Sequence, residues 1–334
     1  MRRVKNLFPK IPLHDNLYYA FYKAARKKRR KRAVIEYCDD LSHNIDELRE
    51  EILCLSPKVG NYRFFWVEDP KPRYICAASF KERVLHHAIM NVCEPVLDAF
   101  AIEDCYACRV GKGTFKAILK CQKFSQCNKW YIKLDIKKYF DSIDHNVALS
   151  LLNNKIKDDR LCILFEKILN TYHTKPGKGV PIGNLISQHV ANFYLGYFDH
   201  WIKETLHIKG YLRYMDDFVL FTSSRLKSKA LLNKIESYLA NFLKLQLKHT
   251  IQINRCCFGI PFLGYRIYPK TIELSPSSKK RFITKFKKYE KNYQNNLWTS
   301  QELVNHMDPL FAFVQKADSI ELRRNTIHRF GVLS

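Results

Sequence analysis

The chain has 334 residues, of which 46% are apolar and 13% aromatic, a composition that excludes a disordered or fibrous protein and leaves room for roughly two or three packed subdomains. Its 57 Lys and Arg face 32 Asp and Glu, for a net charge of +25 at pH 7. That excess points to a polyanionic partner, because phosphate neutralisation by many cations gives sequence-independent, salt-sensitive affinity; from charge alone the alternative is a basic ribosomal-type or membrane-surface protein.

The eleven cysteines are scattered from Cys38 to Cys257 without a repeating spacing, and no apolar signal segment follows Met1-Arg2-Arg3. This is the usage of a reducing, cytoplasmic protein. Cys105 and Cys108 form a CxxC pair, but no second pair stands at a convincing distance to complete a zinc site. No apolar run approaches the ~18 residues of a membrane span, so no membrane association is expected.

In chain order, Arg26, Lys27, Lys28, Arg29, Arg30, Lys31 and Arg32 are consecutive cations, read either as a nucleic-acid backbone contact or as a solvated face. Leu41, Ile45, Leu48, Ile52 and Leu55 recur at helical steps and predict an amphipathic helix ending near Pro57. Tyr62 to Glu68 and Arg73 to Ala77 read as strands joined by a turn at Asp69-Pro70-Lys71-Pro72. Helical spacing returns from Phe80 to Phe100, with a break expected at Glu94-Pro95, and again after Gly111 and Gly113 through Leu119.

Trp130 to Ile136 alternates like a half-buried strand, and Asp144 reads as the cap of a helix over Val147 to Asn153. Val180 to Trp201 is a Gly-punctuated turn followed by a long apolar helix. Tyr211 to Phe221 is a hairpin around Met215-Asp216-Asp217. Leu245 to Ile253 and Phe262 to Tyr268 read as further strands, and the chain after Pro276 as a small helical subdomain up to Arg329.

Acidic side chains are scarce, so their placement is informative. Asp216 and Asp217 adjoin each other inside Tyr-Met-Asp-Asp-Phe-Val-Leu, where two carboxylates repel unless a cation neutralises them; a solvated hairpin tip is the alternative. Asp135 ends a second strand. Beside the hairpin it would complete a hard-oxygen site for magnesium, and two such ions promote nucleotidyl transfer. Asp141 and Asp144 read better as a turn and a helix cap.

Arg213-Tyr214-Met215-Asp216-Asp217, Asp135 within Lys-Leu-Asp-Ile-Lys-Lys-Tyr-Phe-Asp-Ser-Ile, and Phe262-Leu263-Gly264-Tyr265 resemble, in order, the palm motifs of reverse transcriptases over roughly residues 40 to 270. The segment Pro181-Ile182-Gly183-Asn184-Leu185-Ile186-Ser187-Gln188 departs from the Pro-Gln-Gly-x-x-x-Ser-Pro of group II intron and retron enzymes. An aliphatic residue for the Gln and Gln for the final Pro resemble the reverse transcriptases of diversity-generating retroelements. Glu68 to Arg73, Tyr106-Ala107-Cys108-Arg109 and Phe262 to Pro269 look like that family too. A retron or intron enzyme would show Gln and Pro at 182 and 188, and a noncatalytic RNA-binding descendant would have lost a carboxylate.

The resemblance implies an α+β right-hand polymerase: a basic extension and fingers over 1–125, a palm of antiparallel sheet plus helices over 126–270 with fingers elements interleaved, and a helical thumb over 271–334. By the same analogy Asp135, Asp216 and Asp217, with the Ile136 carbonyl, bind two Mg2+ ions. Lys71 and Arg73 grip the incoming deoxynucleoside triphosphate, although a solvated loop also accounts for Lys71. Phe140 blocks a 2′-hydroxyl, unless it is an ordinary core aromatic. Ile182, Gly183 and Gln188 adjoin the nucleotide, and Ser187 belongs to the same signature. Phe262, Leu263, Gly264 and Tyr265 resemble a primer grip, and Lys248 falls where a lysine acts as general acid on pyrophosphate.

The family copies a template-repeat RNA into cDNA, with errors at template adenines, alongside a small, basic, oligomeric accessory variability protein. Template RNA, primer or cDNA and that protein are thus the implied partners. No endonuclease or RNase H pattern follows residue 270, which agrees with reliance on other factors for target integration.

Overall fold

In the computed structural model, which describes residues 3–68 and 71–331, helical apolar spacing in the first hundred positions produces α1 (His14–Ala25), α2 (Arg32–Asp39), α3 (Leu41–Leu53) and α4 (Phe80–Phe100). Between α3 and α4 the β-branched and aromatic runs form a hairpin, β1 (Tyr62–Val67) with β2 (Arg73–Ala78). Asp69 and Pro70 of the expected turn lie outside the described residues. There follow α5 (Thr114–Cys127), β3 (Trp130–Asp135), α6 (Tyr139–Ser142), α7 (His145–Lys155), α8 (Asp159–Leu169), α9 (Leu185–Tyr194) and α10 (Gly196–His200). Then come β4 (Tyr211–Tyr214), β5 (Asp217–Thr222), α11 (Arg225–Leu243), β6 (Gln252–Arg255), β7 (Ile260–Phe262), β8 (Tyr265–Ile267), β9 (Ile272–Leu274), α12 (Pro276–Gln294), α13 (Ser300–Val314) and α14 (Ile320–Phe330).

These elements gather into two compact units, each assembled from separate stretches: Met1–Glu103, Ile136–His207 and Ile235–Leu247 in the first, Asp104–Asp135, Ile208–Lys234 and Lys248–Ser334 in the second. The boundaries read from the sequence at 125/126 and 270/271 both fall inside the second unit.

In the first unit α1 lies on α4, burying Leu17, Ala20, Phe21 and Ala24 against Val84, Leu85, Ala88 and Ile89. Asp144 caps α7 by accepting from Val147, as expected, and Ser79 caps α4 by accepting from the Glu82 amide. The turn 180–183 is pinned at both ends. The Val180 amide donates to the Phe140 carbonyl at 2.9 Å, and the Cys76 amide of β2 donates to the Ile182 carbonyl at 2.8 Å. Gly183 has φ +113°, and a Cβ there would stand 2.8 Å from Ile75 Cγ2 and 2.9 Å from the Cys76 oxygen.

In the second unit an antiparallel sheet of order β4-β5-β3-β6 places β3 between β5 and β6. Tyr131, Leu212, Val219 and Phe221 pack from it into a core shared with Ala117 and Ile118 of α5, Phe262 and Tyr265 of the antiparallel sheet β7-β8-β9, and Phe282 and Phe286 of α12. Ser275 caps α12 with Pro276 in its first turn, and Thr299 with Glu302 forms a capping box on α13. The chain after Pro276 is thus helical through α12, α13 and α14, and it packs as part of the second unit.

Two expectations are corrected. Pro95 does not break the helix, since α4 continues to Phe100. The missing proline amide costs about 3 kcal/mol, and burial of Met90, Cys93, Leu97 and Phe100 around it offsets that cost. The stretches Leu245 to Ile253 and Phe262 to Tyr268 are not single strands either. Leu245 and Leu247 give only one isolated bridge, Leu247 with Ile136, before the polar Lys248-His249-Thr250 interrupts pairing, and only β6 joins the sheet. Leu263 and Gly264 both have positive φ, 51° and 89°, and turn the second stretch into a two-residue hairpin that joins β7 to β8. Positive φ at both loop positions is the type I′ pattern that matches strand twist.

The pinned turn generates the first prediction: Gly183→Ala clashes with β2 backbone at a φ that side chains rarely adopt, and lowers unfolding stability by roughly 1–3 kcal/mol in denaturant titration. Stability equal to the parent chain would show that the turn yields freely. A second concerns acid. Burial pushes His86 down to about 3, and burial together with the Lys23, Lys28 and Arg83 charges pushes His87 down to about 4. The unfolded chain takes up these protons near pH 6.5, so between that value and the folded ones it binds more protons and acidification favours it. Buried Glu82, raised by desolvation, works in the opposite sense below its own folded value. The melting temperature therefore falls from about pH 7 to about pH 5, and less steeply in His86→Leu; a flat profile for the parent chain would contradict the assignment.

Candidate active site

The second unit brings the conspicuous carboxylates together. β3 and β5 pair so that Asp135 lies directly opposite Asp217, and Tyr214 pairs with Asp217 to close the β4–β5 hairpin over Met215 and Asp216. Met215 has φ +54°, whereas Asp216 lacks a positive φ, the pattern of a II′ turn whose first position normally takes Gly. A side chain there costs about 1–2 kcal/mol. The fully buried Arg213 steadies the turn by donating from Nη1 to the Met215 carbonyl at 3.0 Å.

Positive charge meets these acids from the same strands. Lys133, two residues before Asp135 on the same face of β3, forms an ion pair with Asp217 and lies 5.6 Å over the Phe262 ring. Lys248 pairs with Asp135 Oδ2 at 2.7 Å and donates its amide to the Asp135 carbonyl at 2.8 Å. Asp135 Oδ1 is buried without a hydrogen-bond partner. Burial first, and then the neighbouring Asp135, pushes Asp216 up to about 6; burial raises Asp217 too, with Lys133 pulling the other way.

An electron-rich group with an orphaned buried oxygen and a reluctantly ionised neighbour is what hard divalent cations relieve, and every candidate donor here is oxygen. The carboxylates thus fit magnesium in chemistry. Among the described residues no three acidic, His or Cys side chains already converge as a ligand group. Asp217 and Asp135 also take lysine partners, Lys133 and Lys248 respectively. Ile136, the expected carbonyl ligand, follows directly in the chain and is fully buried.

The expected nucleotide contacts belong to the first unit. Lys71 and Arg73 are exposed, Arg73 opposite Val67 in the β1–β2 register. Phe140 is half-buried on α6, edge-on to Tyr139. Val180 joins Phe140 to the turn carrying Ile182 and Gly183, and Ile182 joins that turn to β2, so Phe140, Ile182 and Gly183 form one connected cluster at the hairpin. Ser187 is buried and Gln188 half-buried on the first turns of α9.

In the second unit the Phe262-Leu263-Gly264-Tyr265 turn is held by the Ser275 amide on the Gly264 carbonyl at 3.0 Å and by the Tyr265 hydroxyl on the Phe313 carbonyl at 2.8 Å. Arg26 to Lys31 form an exposed turn between α1 and α2, and Arg32, which opens α2, pairs with Glu36 at 2.6 Å. The sequence reading missed Lys133, although its i, i+2 relation to Asp135 on a strand places both on one face.

The family model for reverse transcriptases, RNA-dependent DNA polymerases, matches residues 67–267. Protein YkfC of Escherichia coli K12 is 23% identical over 277 residues, covering 69% of this chain and 72% of its own. The group II intron-encoded protein LtrA of Lactococcus lactis subsp. cremoris is 24% identical over 208 residues, 58% of this chain and 34% of its own. The putative COX1/OXI3 intron 2 protein of Saccharomyces cerevisiae is 27% identical over 149 residues, 41% of this chain and 17% of its own, so the chain spans only a minor part of these last two. Apo telomerase from Candida tropicalis shares the fold at a TM-score of 0.50 and 15% identity, over 85% of this chain and 66% of that one. With the family's model matched over most of its length and the α+β right-hand polymerase fold in place, this chain belongs to the reverse transcriptases.

Proposed function

We propose that this protein is the RNA-directed DNA polymerase of a diversity-generating retroelement, copying a template-repeat RNA from a primer into cDNA with errors at template adenines. The observation that carries the polymerase part is the pairing of Asp135 with Asp217 beside Asp216 at one end of the β4-β5-β3-β6 sheet. Two Mg2+ ions held by Asp135, Asp216, Asp217 and the Ile136 carbonyl would activate a primer 3′-hydroxyl and stabilise the leaving pyrophosphate. Around that chemistry the chain's own residues have separate tasks. Lys133 and Lys248 balance part of the carboxylate charge. Lys71 and Arg73 meet triphosphate oxygens, and Phe140 excludes a 2′-hydroxyl by its ring. The Phe262 to Tyr265 turn positions the primer.

Ile182 supports the diversifying part. Its carbonyl is committed to Cys76 and its side chain is aliphatic, so it offers the nascent pair no side-chain hydrogen bond. Shape alone separates similar bases by about 1–3 kcal/mol. A small basic accessory variability protein and a cytoplasmic site of action complete the reading by family analogy; no described helix is long and apolar enough to cross a membrane.

The decisive experiment measures Mg2+-dependent deoxynucleotide incorporation on an adenine-containing RNA template, with and without the accessory protein, and sequences the cDNA. Asp216→Ala is expected to abolish incorporation, and the parent's errors to cluster opposite adenine, decreasing in Ile182→Gln. Errors spread equally over the four template bases would remove the diversifying role while keeping the polymerase. The lysine pairing predicts a metal effect as well. Lys133→Met leaves Asp217 uncompensated and costs on the order of 2 kcal/mol without metal, and added Mg2+ raises its melting temperature more than the parent's. Equal metal-induced shifts would show that the lysine and the cation do not share the carboxylates.

A further inference from the structure

In the first unit, away from the residues assigned above to nucleotide and metal, α4 carries Arg83, His87 and Asn91 at four-residue steps, hence on one face. Arg83 Nε and His87 Nδ1 are both buried without a hydrogen-bond partner. The Arg83 guanidinium rests 5.2 Å over the Phe80 ring, and burial alone, with no carboxylate opposing it, lowers its proton affinity. α1 brings Lys23 to the same stripe, its Nζ 2.8 Å from Asn91 Oδ1. The basic turn adds Lys28, whose proton affinity is lowered by burial and by the charges of Arg83 and Lys31. His87 feels Lys23, Lys28, Arg83 and His189, all cationic or potentially so. The carboxylates in the neighbourhood, Glu94 and Asp98, act on His189 instead.

A fold gains nothing from driving like charges together and leaving their donors buried and unmatched. The same arrangement becomes favourable when an anion with several acceptor oxygens sits among them. Beside the cations α1 presents Tyr19 and Tyr22, exposed by 57% and 56%, and Lys23 lies 5.3 Å from the Tyr19 ring. An exposed aromatic next to a cluster of cations is how proteins hold single strands, whose bases are free to stack.

We infer that Lys28, Arg83 and His87 form a seat for one backbone phosphate of single-stranded RNA, with Tyr19 stacking an adjacent unpaired base and Lys23 bridging the two. The seat lies outside the nucleotide and metal residues, and binding is read without primer or deoxynucleotides, so the result is independent of whether the chain polymerises.

The test uses the full chain and a fluorescent mixed-sequence single-stranded RNA, with Kd measured across a salt series for the parent, Arg83→Gln/His87→Gln and Tyr19→Ala. The double variant is expected to bind more weakly, with the slope of log K against log salt shallower by about 0.7, the value for one phosphate on a single strand. Its melting temperature without RNA stays equal or rises, because a repulsion has been relieved. Tyr19→Ala is expected to weaken the single strand roughly tenfold and a fully paired RNA duplex little. An unchanged slope would overturn the inference, as would a fall in melting temperature with unchanged affinity, which would make Arg83 and His87 ordinary packing residues. Inorganic phosphate that protects the parent against heat as well as RNA does would overturn the polynucleotide assignment in favour of a free anion.

Discussion

The constraint on which the catalytic end of this protein depends is repulsion between carboxylates that its sheet forces to be neighbours. Antiparallel pairing of β3 with β5 leaves Asp135 and Asp217 no choice but to face each other, and the tight β4–β5 loop adds Asp216 to the same edge. Three negative charges in partial burial are unstable unless compensated. The fold compensates with lysines that come from the same sheet or its border, Lys133 and Lys248. Each of these lysines offers its carboxylate a compensating charge and a hydrogen-bond donor in one contact.

Lys133 extends this logic to the Phe262 turn. It touches the Asp217 carboxylate on one side and the Phe262 ring on the other. The Phe262–Tyr265 segment is thereby tied electrostatically to the hairpin carrying the acids. A pure core contact at Phe262 would fix position only. A cation shared between ring and carboxylate also ties that position to the charge state of the site. In the first unit the corresponding device is the turn 180–183, which backbone hydrogen bonds fasten to both Phe140 and β2. Backbone attachment frees the side chain at 182 to vary, so an aliphatic residue is accommodated there without loss of the scaffold.

The reasons some features were readable in advance and others were not are physical. Strict alternation with one break, as in Trp130 to Asp135 and around Met215-Asp216, gives strands and hairpin directly, because a half-buried pleated surface demands period two. The helix cap at Asp144 follows from unsatisfied first-turn amides, as do those the structure adds at Ser79, Ser275 and Thr299. What local pattern did not reveal was settled over distance. Pro95 is tolerated because α4 is packed on both sides of it. Phe262 to Tyr268 alternates like one strand, and only the positive φ available at Gly264, with Leu263 drawn along, folds it back on itself. The interleaving of the two compact units is long-range and leaves no mark on composition.

Charge placement separates the two kinds of basic residue that a net +25 conceals. Exposed lysines on α12 and the arginines of the 26–32 turn contribute a diffuse field that attracts any polyanion and fades with salt. Lys133, Lys248 and Arg83 are different, because each is drawn into a partly buried position where its charge has a specific counterpart or lacks one, and beside Arg83 the neutral His87 keeps its Nδ1 unmatched. Where the counterpart is a carboxylate, the pair compensates the acid it meets. Where it is missing, as at Arg83 and His87, desolvation without compensation is the cost of keeping a place for an anion. The sign of the unmet charge, more than the total, therefore distinguishes a place for metal from a place for phosphate on the same basic chain.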